Sequence, residues 1–358
     1  MNFIKLLIKS TLAIGMLVNI VNAKEVNFEG KTIEWTMPFK AGGGTDKWGR
    51  FYAPLLSKAL PGNPVVVIKN MPGGGSTKGA NFFAQRASKD GLSIFAASGS
   101  TQFPYLLDDR RVRYDYKKWE VVLASPTGGV VYIPSSLGVK TVKDLKNLKT
   151  TLKFGSQGAT SLDLIPLLAF HILGLDVEPI FGMKGRKSGR LAFLRGETTI
   201  DYQTSTSYIK NVMPTIKNGN IVPLFSWGVL DEDGNLQRDP TFPNLPHFGE
   251  VYESIYGKKP SGSAFSAWKS FFTAGFSVQK MILLPKGVSK DVLETYQKAV
   301  KKVLNDENFK KLKTANLGIY DQAIGEKARK LKDLGTKVSK EDRQWIKNWL
   351  KESYNIRF

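Results

Sequence analysis

The chain of 358 residues contains no cysteine and only two histidines, His171 and His247. The first absence excludes disulfides, thiol chemistry and lipid attachment through an N-terminal cysteine. The second leaves zinc chemistry poorly provided for, since neither histidine has another His or a Cys at ligand spacing. His171 falls in an apolar helical run from Leu164 to Leu173, and His247 in a proline-rich loop. No G-x-S-x-G elbow occurs, and no acid–base pair is legible. No enzyme activity, cofactor or metal site is therefore expected. Acidic residues are also scarce: 31 Asp and Glu stand against 52 Lys and Arg, a formal charge of +21.

A charge this basic raises the question of nucleic acid. The basic residues are mostly interleaved with acids, as in Glu326–Asp333, the pattern of a solvated helix face. The densest patch, Arg110-Arg111-Val112-Arg113, has Tyr114, Tyr116 and Trp119 nearby. The N-terminus argues against a nucleic-acid partner, because it is that of an exported protein. Lys5 and Lys9 precede an uncharged stretch, Ser10–Ala23, that ends in Val21-Asn22-Ala23. That reads as a secretory signal peptide with cleavage expected after Ala23, too short to span a bilayer comfortably. No later run is apolar for long enough to be a transmembrane helix. A soluble, periplasmic monomer is expected, and losing Lys5 and Lys9 takes its charge from +21 to +19. A field of that sign draws anions toward the surface.

Glycine is the residue the chain places with most pattern. AGGGTD at Ala41–Asp46 and PGGGSTKGA at Pro72–Ala80 each follow an apolar, β-branched run and precede a helix-like one. That is the layout of a βαβαβ unit, whose βα turns aim backbone amides at a common crevice and suit a carboxylate or phosphate. Strands are predicted over Lys31–Phe39, Pro64–Asn70 and Leu92–Ala97, with Ser98-Gly99-Ser100 as a turn at the third strand's end. Thr45 or Asp46 falls where the first helix needs an N-cap. Neither glycine turn is a dinucleotide fingerprint, since Lys47 and Lys78 stand where the last glycine belongs. Neither is a P-loop, since Arg50-Phe51 and Ala80-Asn81 replace its Lys-Ser/Thr.

The pattern then recurs. Leu152–Ser156 reads as a strand, Gln157–Ser161 as a polar turn, and Leu162–Leu173 as a helix. Val177–Met183 is a strand, Lys184–Gly189 a basic turn with glycine, Arg190–Arg195 a short helix, and Thr198–Tyr202 the next strand. Two α/β lobes, each a sheet flanked by helices, would face each other across a ligand cleft. Residues 24–124 with 269–358 are expected to form lobe 1, and 125–268 lobe 2. Crossings at Leu123–Ile133 and Trp268–Pro285 would act as hinges.

Pro38–Asp46 resembles the P-F-x-x-G-G-x-x-D loop of the Bug proteins, extracytoplasmic solute receptors of tripartite tricarboxylate transporters. Asn70–Gly75 with Gly79 is similar to their N-x-P-G-A-G-G-x-x-G stretch, and Ser156–Ser161 to their S-x-G-x-x-S turn. Gly185, Gly196–Asp201, Pro243–Glu250 and Leu284–Gly287 fit further family segments. The chain departs at Ser76, at Phe181–Lys184 and in a longer Gln102–Trp119 segment. The resemblance implies a periplasmic-binding-protein (Venus flytrap) fold that closes on a small carboxylate and hands it to a membrane permease. A sensor for a membrane histidine kinase, or a secreted lyase or hydrolase using the same cleft, stays open as an alternative.

The binding residues expected are Phe39, Gly43, Gly44, Thr45 and Asp46 from the first turn, and Gly73, Gly74, Gly75 and Ser76 from the second. Ser98 and Ser100 would line the floor. Gln157, Gly158, Ala159, Thr160 and Ser161 would supply amides from the other lobe to a second carboxylate, so a di- or tricarboxylate is the expected ligand. Phe39 and Trp48 leave room for an aromatic acid. Asp46 is either an N-cap or a group that meets a ligand hydroxyl, ammonium or water. Lys184 is expected at the surface.

Overall fold

The computed structural model describes residues 26–231 and 233–358, so the leader and its cleavage site lie outside the described residues. β-Branched and aromatic runs build a six-stranded sheet. Its spatial order is Ala323–Ile324, Glu120–Ser125, Lys280–Leu284, Ser93–Ala97, Thr32–Met37 and Val65–Asn70. Thr32–Met37 runs parallel to both Val65–Asn70 and Ser93–Ala97, as the βαβαβ pattern requires. Lys280–Leu284 returns antiparallel between Ser93–Ala97 and Glu120–Ser125. Alternation along it sends Met281 and Leu283 into one aromatic core with Phe83, Phe95 and Trp119, and Ile282 and Leu284 into another with Trp35, Trp48 and Tyr296.

The second set of strands departs from the simple repeat. Leu152–Gly155 and Val177–Ile180 pair in parallel, but the next strand joins them through a single bridge, Phe154 to Ile200. It then continues as Asp201–Thr204, antiparallel to Gly129–Pro134, which also pairs with Ile221–Ser226. The chain passes between the two sets near residues 125–129 and 276–280, where the Thr127 amide donates to the Phe276 carbonyl (3.0 Å).

Several boundaries shift for identifiable reasons. The first helix begins at Gly44, one or two residues before the expected cap at Thr45 or Asp46, and carries Pro54 inside it. Its N-cap is Gly43, which has no side chain to cap with, so neither Thr45 nor Asp46 holds the cap. Ser98–Ser100 is more than a strand-end turn. Ser98 Oγ accepts from the Ser100 amide and caps the helix Gly99–Leu106. The C-terminal helix Lys340–Tyr354 buries Ile346, Trp349 and Leu350 in one core with Leu167 and Leu168 of Leu164–Ile172 and with Phe271. Its apolar stripe therefore serves helices associated with the second set of strands. His171 is spent there, its ring 5.5 Å from that of Trp349. His247 Nδ1 caps the helix Phe248–Tyr256, accepting from the Gly249 amide (3.0 Å).

Lys280 opens the returning strand opposite Ser125 and is 1% exposed, with no partner for Nζ among the described residues. Burial lowers its pKa to about 7. Between that value and the ordinary lysine value, the unfolded chain holds one proton more than the folded one. Stability attributable to this group should therefore rise from pH 7 to 10 at about 1.4 kcal/mol per pH unit. Urea unfolding of Lys280→Met at pH 7 and pH 10 should show a more stable protein at pH 7 that has lost the rise; an unchanged slope would contradict it.

Candidate functional site

Three helix starts and one strand end meet between the lobes. Phe39, Lys40, Gly43, Gly44 and Thr45 face Gln157, Leu162, Lys184, Gly185, Arg186 and Lys187 across a narrow cavity, with Ser98, Ser100, Thr204 and Gln279 completing its wall. Among the described residues, none that lines it is acidic. The helices Gly44–Ala59 and Arg186–Leu194 both begin after a glycine N-cap with no side-chain bond. Their first amides therefore look for an acceptor from outside. The dipoles of both helices favour an anion at the same place.

The lobes are closed upon each other. The space left between them is narrow, about 30 Å³, room for about two water molecules. The Leu162 amide donates to Ser100 Oγ (3.1 Å), and Lys187 Nζ donates to the Ala41 carbonyl (3.2 Å). A methyl group built on Gly44 would stand 2.8 Å from Thr204 Oγ1. The close fit of the two faces thus depends on glycine at that position.

Asp46 does not face the cavity. It is 1% exposed and accepts from the Gly42 amide (2.7 Å), Arg50 Nε (3.0 Å) and Asn70 Nδ2 (2.9 Å). Neither expected role is the one it fills: the carboxylate ties the first glycine turn to the second strand. Asn70 Nδ2 also donates to the Phe39 carbonyl (2.9 Å), so one amide fixes both ends of the loop.

Of the other expected residues, Phe39, Gly43, Gly44, Thr45, Ser98, Ser100 and Gln157 line the cavity. Gly73, Gly74, Gly75 and Ser76 do not. Gly75 lies against Ser161, 3.7 Å from its Cβ to a methyl placed on the glycine, and Ser76 Oγ is bonded to Thr101 Oγ1 (2.6 Å). Ser161 Oγ turns inward to the Gly158 carbonyl (2.7 Å). Gly158, Ala159 and Thr160 open onto a different groove, shared with Asp109, Arg110 and Arg111. Arg111 there bonds both Asp109 and Thr160 Oγ1 (2.8 Å), so this part of the basic patch clasps the second turn.

Lys184 is exposed, as expected, and also borders the cavity, together with Gly185, Arg186 and Lys187. The signal was present as a basic βα turn after Val177–Ile180, in the same position as the other turns. Gln279 gave no sequence signal, because it reaches the wall only through the return of its strand.

Behind this turn lies a buried ion network. Arg186 pairs with Asp163 (3.2 Å) and with Asp201, and donates to the Gly155 carbonyl (2.6 Å). Its guanidinium stacks over Tyr202 and Phe154, 4.5 and 4.9 Å from the ring centres. Burial works against its charge, yet Asp163 and Asp201 outweigh that and raise its pKa. Asp163 also accepts from the Gln157 amide (2.6 Å) and Tyr202 Oη (3.0 Å). Asp201 accepts from Tyr132 and Gln203, while burial pushes its pKa up.

No family model matches the chain. A Cupriavidus necator protein, "UPF0065 protein in gbd 5'region", is 24% identical over 310 residues, 84% of this chain and 83% of that protein. Among solved structures, the periplasmic binding protein BugD superposes with a TM-score of 0.68 at 20% identity, covering 91% of this chain and 98% of BugD. Rpa4515 of R. palustris, solved with adipate, gives 0.67 at 16% identity over 92% of this chain and 99% of that one. MatC (Rpa3494) from Rhodopseudomonas palustris, with bound malate, gives 0.63 at 16% over 86% and 100%. The fold is that of two-lobed periplasmic binding proteins. Bug and TctC solute-binding proteins are among its structural neighbours, in line with the resemblance read from the sequence.

Three substitutions separate the roles described. Gly44→Ala should hold the lobes apart through Thr204, giving a larger radius in small-angle scattering. Gly43→Ala, whose added methyl meets nothing nearer than the Lys40 carbonyl at 3.5 Å, should leave the radius unchanged. Arg186→Met strands Asp163 and Asp201 in the interior and should cost about 3–5 kcal/mol in urea unfolding; a loss below 1 kcal/mol would show that the carboxylates neutralise or rehydrate easily.

Proposed function

We propose that this chain is a Bug-type extracytoplasmic receptor that captures a small organic acid between its lobes and delivers it to the membrane subunits of a tripartite tricarboxylate-type transporter. The observation that carries this reading is the meeting of two uncapped helix starts, one from each lobe, in a cavity with basic and no acidic lining among the described residues. The malate of MatC and the adipate of Rpa4515, both dicarboxylates, are of the matching chemical class.

The first carboxylate is assigned to the amides of Gly44 and Thr45, with Ser98 and Ser100 beneath. Glycine at 43 and 44 lets an oxygen approach the backbone without meeting a Cβ. The second is assigned to the amides at Arg186 and Lys187, with Lys184 at the rim. This places it one βα turn away from Gln157–Ser161, where the sequence pattern put it. Each hydrogen bond to a charged group contributes about 1.5–3 kcal/mol. Four of them cover the roughly 8 kcal/mol of a micromolar ligand when ordering costs are modest. An acid with a carboxylate at each end bonds both lobes at once and so stabilises the closed form.

Entry requires opening, since the closed cavity is far smaller than such an acid. The crossings near residues 125–129 and 276–280 are the hinges of this motion. A soluble periplasmic monomer is the form in which such a receptor works, and the +19 charge of the mature chain speeds encounter with anions without choosing among them.

A thermal-shift screen of the mature protein against mono-, di- and tricarboxylates, an aromatic acid and neutral sugars tests the reading. A dicarboxylate at one hundred times its Kd should add about 2.7 kcal/mol of stability and should leave the scattering radius of the complex that of a closed protein. Stabilisation by a neutral sugar and by none of the acids would overturn it.

A further inference from the structure

Arg190 is 6% exposed, yet no carboxylate among the described residues pairs with it, in contrast to Arg186 one turn earlier. Its Nη1 donates to Ser207 Oγ (2.9 Å). Asn211 Nδ2 donates to the same hydroxyl oxygen (3.3 Å), and Asn211 Oδ1 accepts from Lys47 Nζ (2.5 Å). Lys47 comes from the first helix, Gly44–Ala59, whereas Arg190, Ser207 and Asn211 come from the other lobe. Lys187, one turn before Arg190, reaches across to the Ala41 carbonyl, and Lys210, next to Asn211, donates to Asn316 Oδ1.

Four cations from the two lobes therefore lie along one flank of the cleft, each bonded to a neutral acceptor and none paired with a carboxylate among the described residues. Burial lowers the pKa of Lys47, and Arg190, Lys210 and Lys187 press it the same way. Asp46 opposes them, but its oxygens are already taken by Gly42, Arg50 and Asn70. On the far side Asp201 and Tyr132 face Arg190, and both are bonded within the Arg186 network. Donors remain unused, since an ammonium has three N–H groups and a guanidinium five. Of the four, Lys187 alone belongs to the ligand cavity's lining; Lys47, Arg190 and Lys210 stand outside it.

We infer that Lys47, Lys187, Arg190 and Lys210 form an accessory oxyanion site beside the ligand cleft, which takes a small tetrahedral dianion of the phosphate or sulfate kind and clamps the lobes together. Lys47 and Arg190 supply the opposing walls, and Ser207 and Asn211 hold them at a fixed spacing. Bringing the lobes together crowds like charges, and a dianion between them converts that repulsion into attraction. The site acts whichever organic acid the cleft takes, so it stands apart from the receptor reading.

The test uses inorganic phosphate, with chloride at matched ionic strength, on the whole mature protein and on the double variant Lys47→Gln/Lys210→Gln. Both positions are at least partly exposed, so the variant should fold, and far-ultraviolet circular dichroism checks that it does. Phosphate should raise the melting temperature saturably where chloride does not, and its midpoint should rise about tenfold or more in the variant. Saturating succinate should leave the phosphate midpoint no higher. Equal effects of phosphate and chloride would show screening only and overturn the site. So would an unchanged midpoint in the variant, or displacement of phosphate by succinate, which would put the ion in the cleft itself.

Discussion

A guanidinium removed from water needs acceptors, and Arg186 finds two carboxylates, Asp163 and Asp201, on separate segments. Stripping water from three charges is costly and leaves little net gain from the pairing itself. What the network confers is position. Arg186 begins its helix, Asp163 precedes Leu164–Ile172 and holds the Gln157 amide, and Asp201 opens the strand that ends at Thr204. Those segments cannot drift apart without stranding a charge. The residues they present at the cleft (Gln157, Gly185, Lys187 and Thr204) inherit that rigidity.

The opposite wall is fixed by a carboxylate rather than a cation. Asp46 gathers the Gly42 amide, Arg50 and Asn70, and so sets the path of a loop that has three successive glycines and little stiffness of its own. In both lobes the charged group lies behind the cleft and the backbone lies in front. Amides of glycine-started helices are then left facing the cavity, fixed in direction and needing no reorganisation when an anion arrives. Flexible lysines at the rim add field but no fixed geometry.

The two faces fit closely where backbone meets backbone or apolar side chains. Gly44 passes Thr204 with no room for a methyl group, and Gly99 and Gly275 lie against Leu162 and Phe103 in the same manner. Near Arg190 and Lys47 the fit is poorer in charge than in shape, because like charges meet there. The interface is thus tight where it is apolar or backbone-lined and unbalanced in charge where it is cationic.

Periodicity and turn chemistry alone determined the first lobe's parallel strands, the second strand–turn–helix series and the two-lobed class, because these are written in residues close together in the chain. Thr32–Met37, Val65–Asn70 and Leu164–Ile172 fall within the expected segments. About half of the cavity wall, Phe39, Gly43, Gly44 and Thr45 with Ser98, Ser100 and Gln157, was equally legible from glycine and serine turns. The role of Asp46 was not, since its partners Arg50 and Asn70 become neighbours only when the second strand pairs with the first. Nor was the choice of second-lobe turn. Gln157–Ser161 and Lys184–Lys187 have the same local form, and tertiary packing brought the basic one to the cavity while Ser161 closed on Gly75. The C-terminal helix announced its apolar stripe through Trp345, Ile346, Trp349 and Leu350, but which core receives it depends on contacts more than 150 residues away in sequence, such as that of Trp349 with His171. Local steric and hydrogen-bonding preferences act within a few residues; which surfaces then meet is decided by burial and charge pairing across the whole chain.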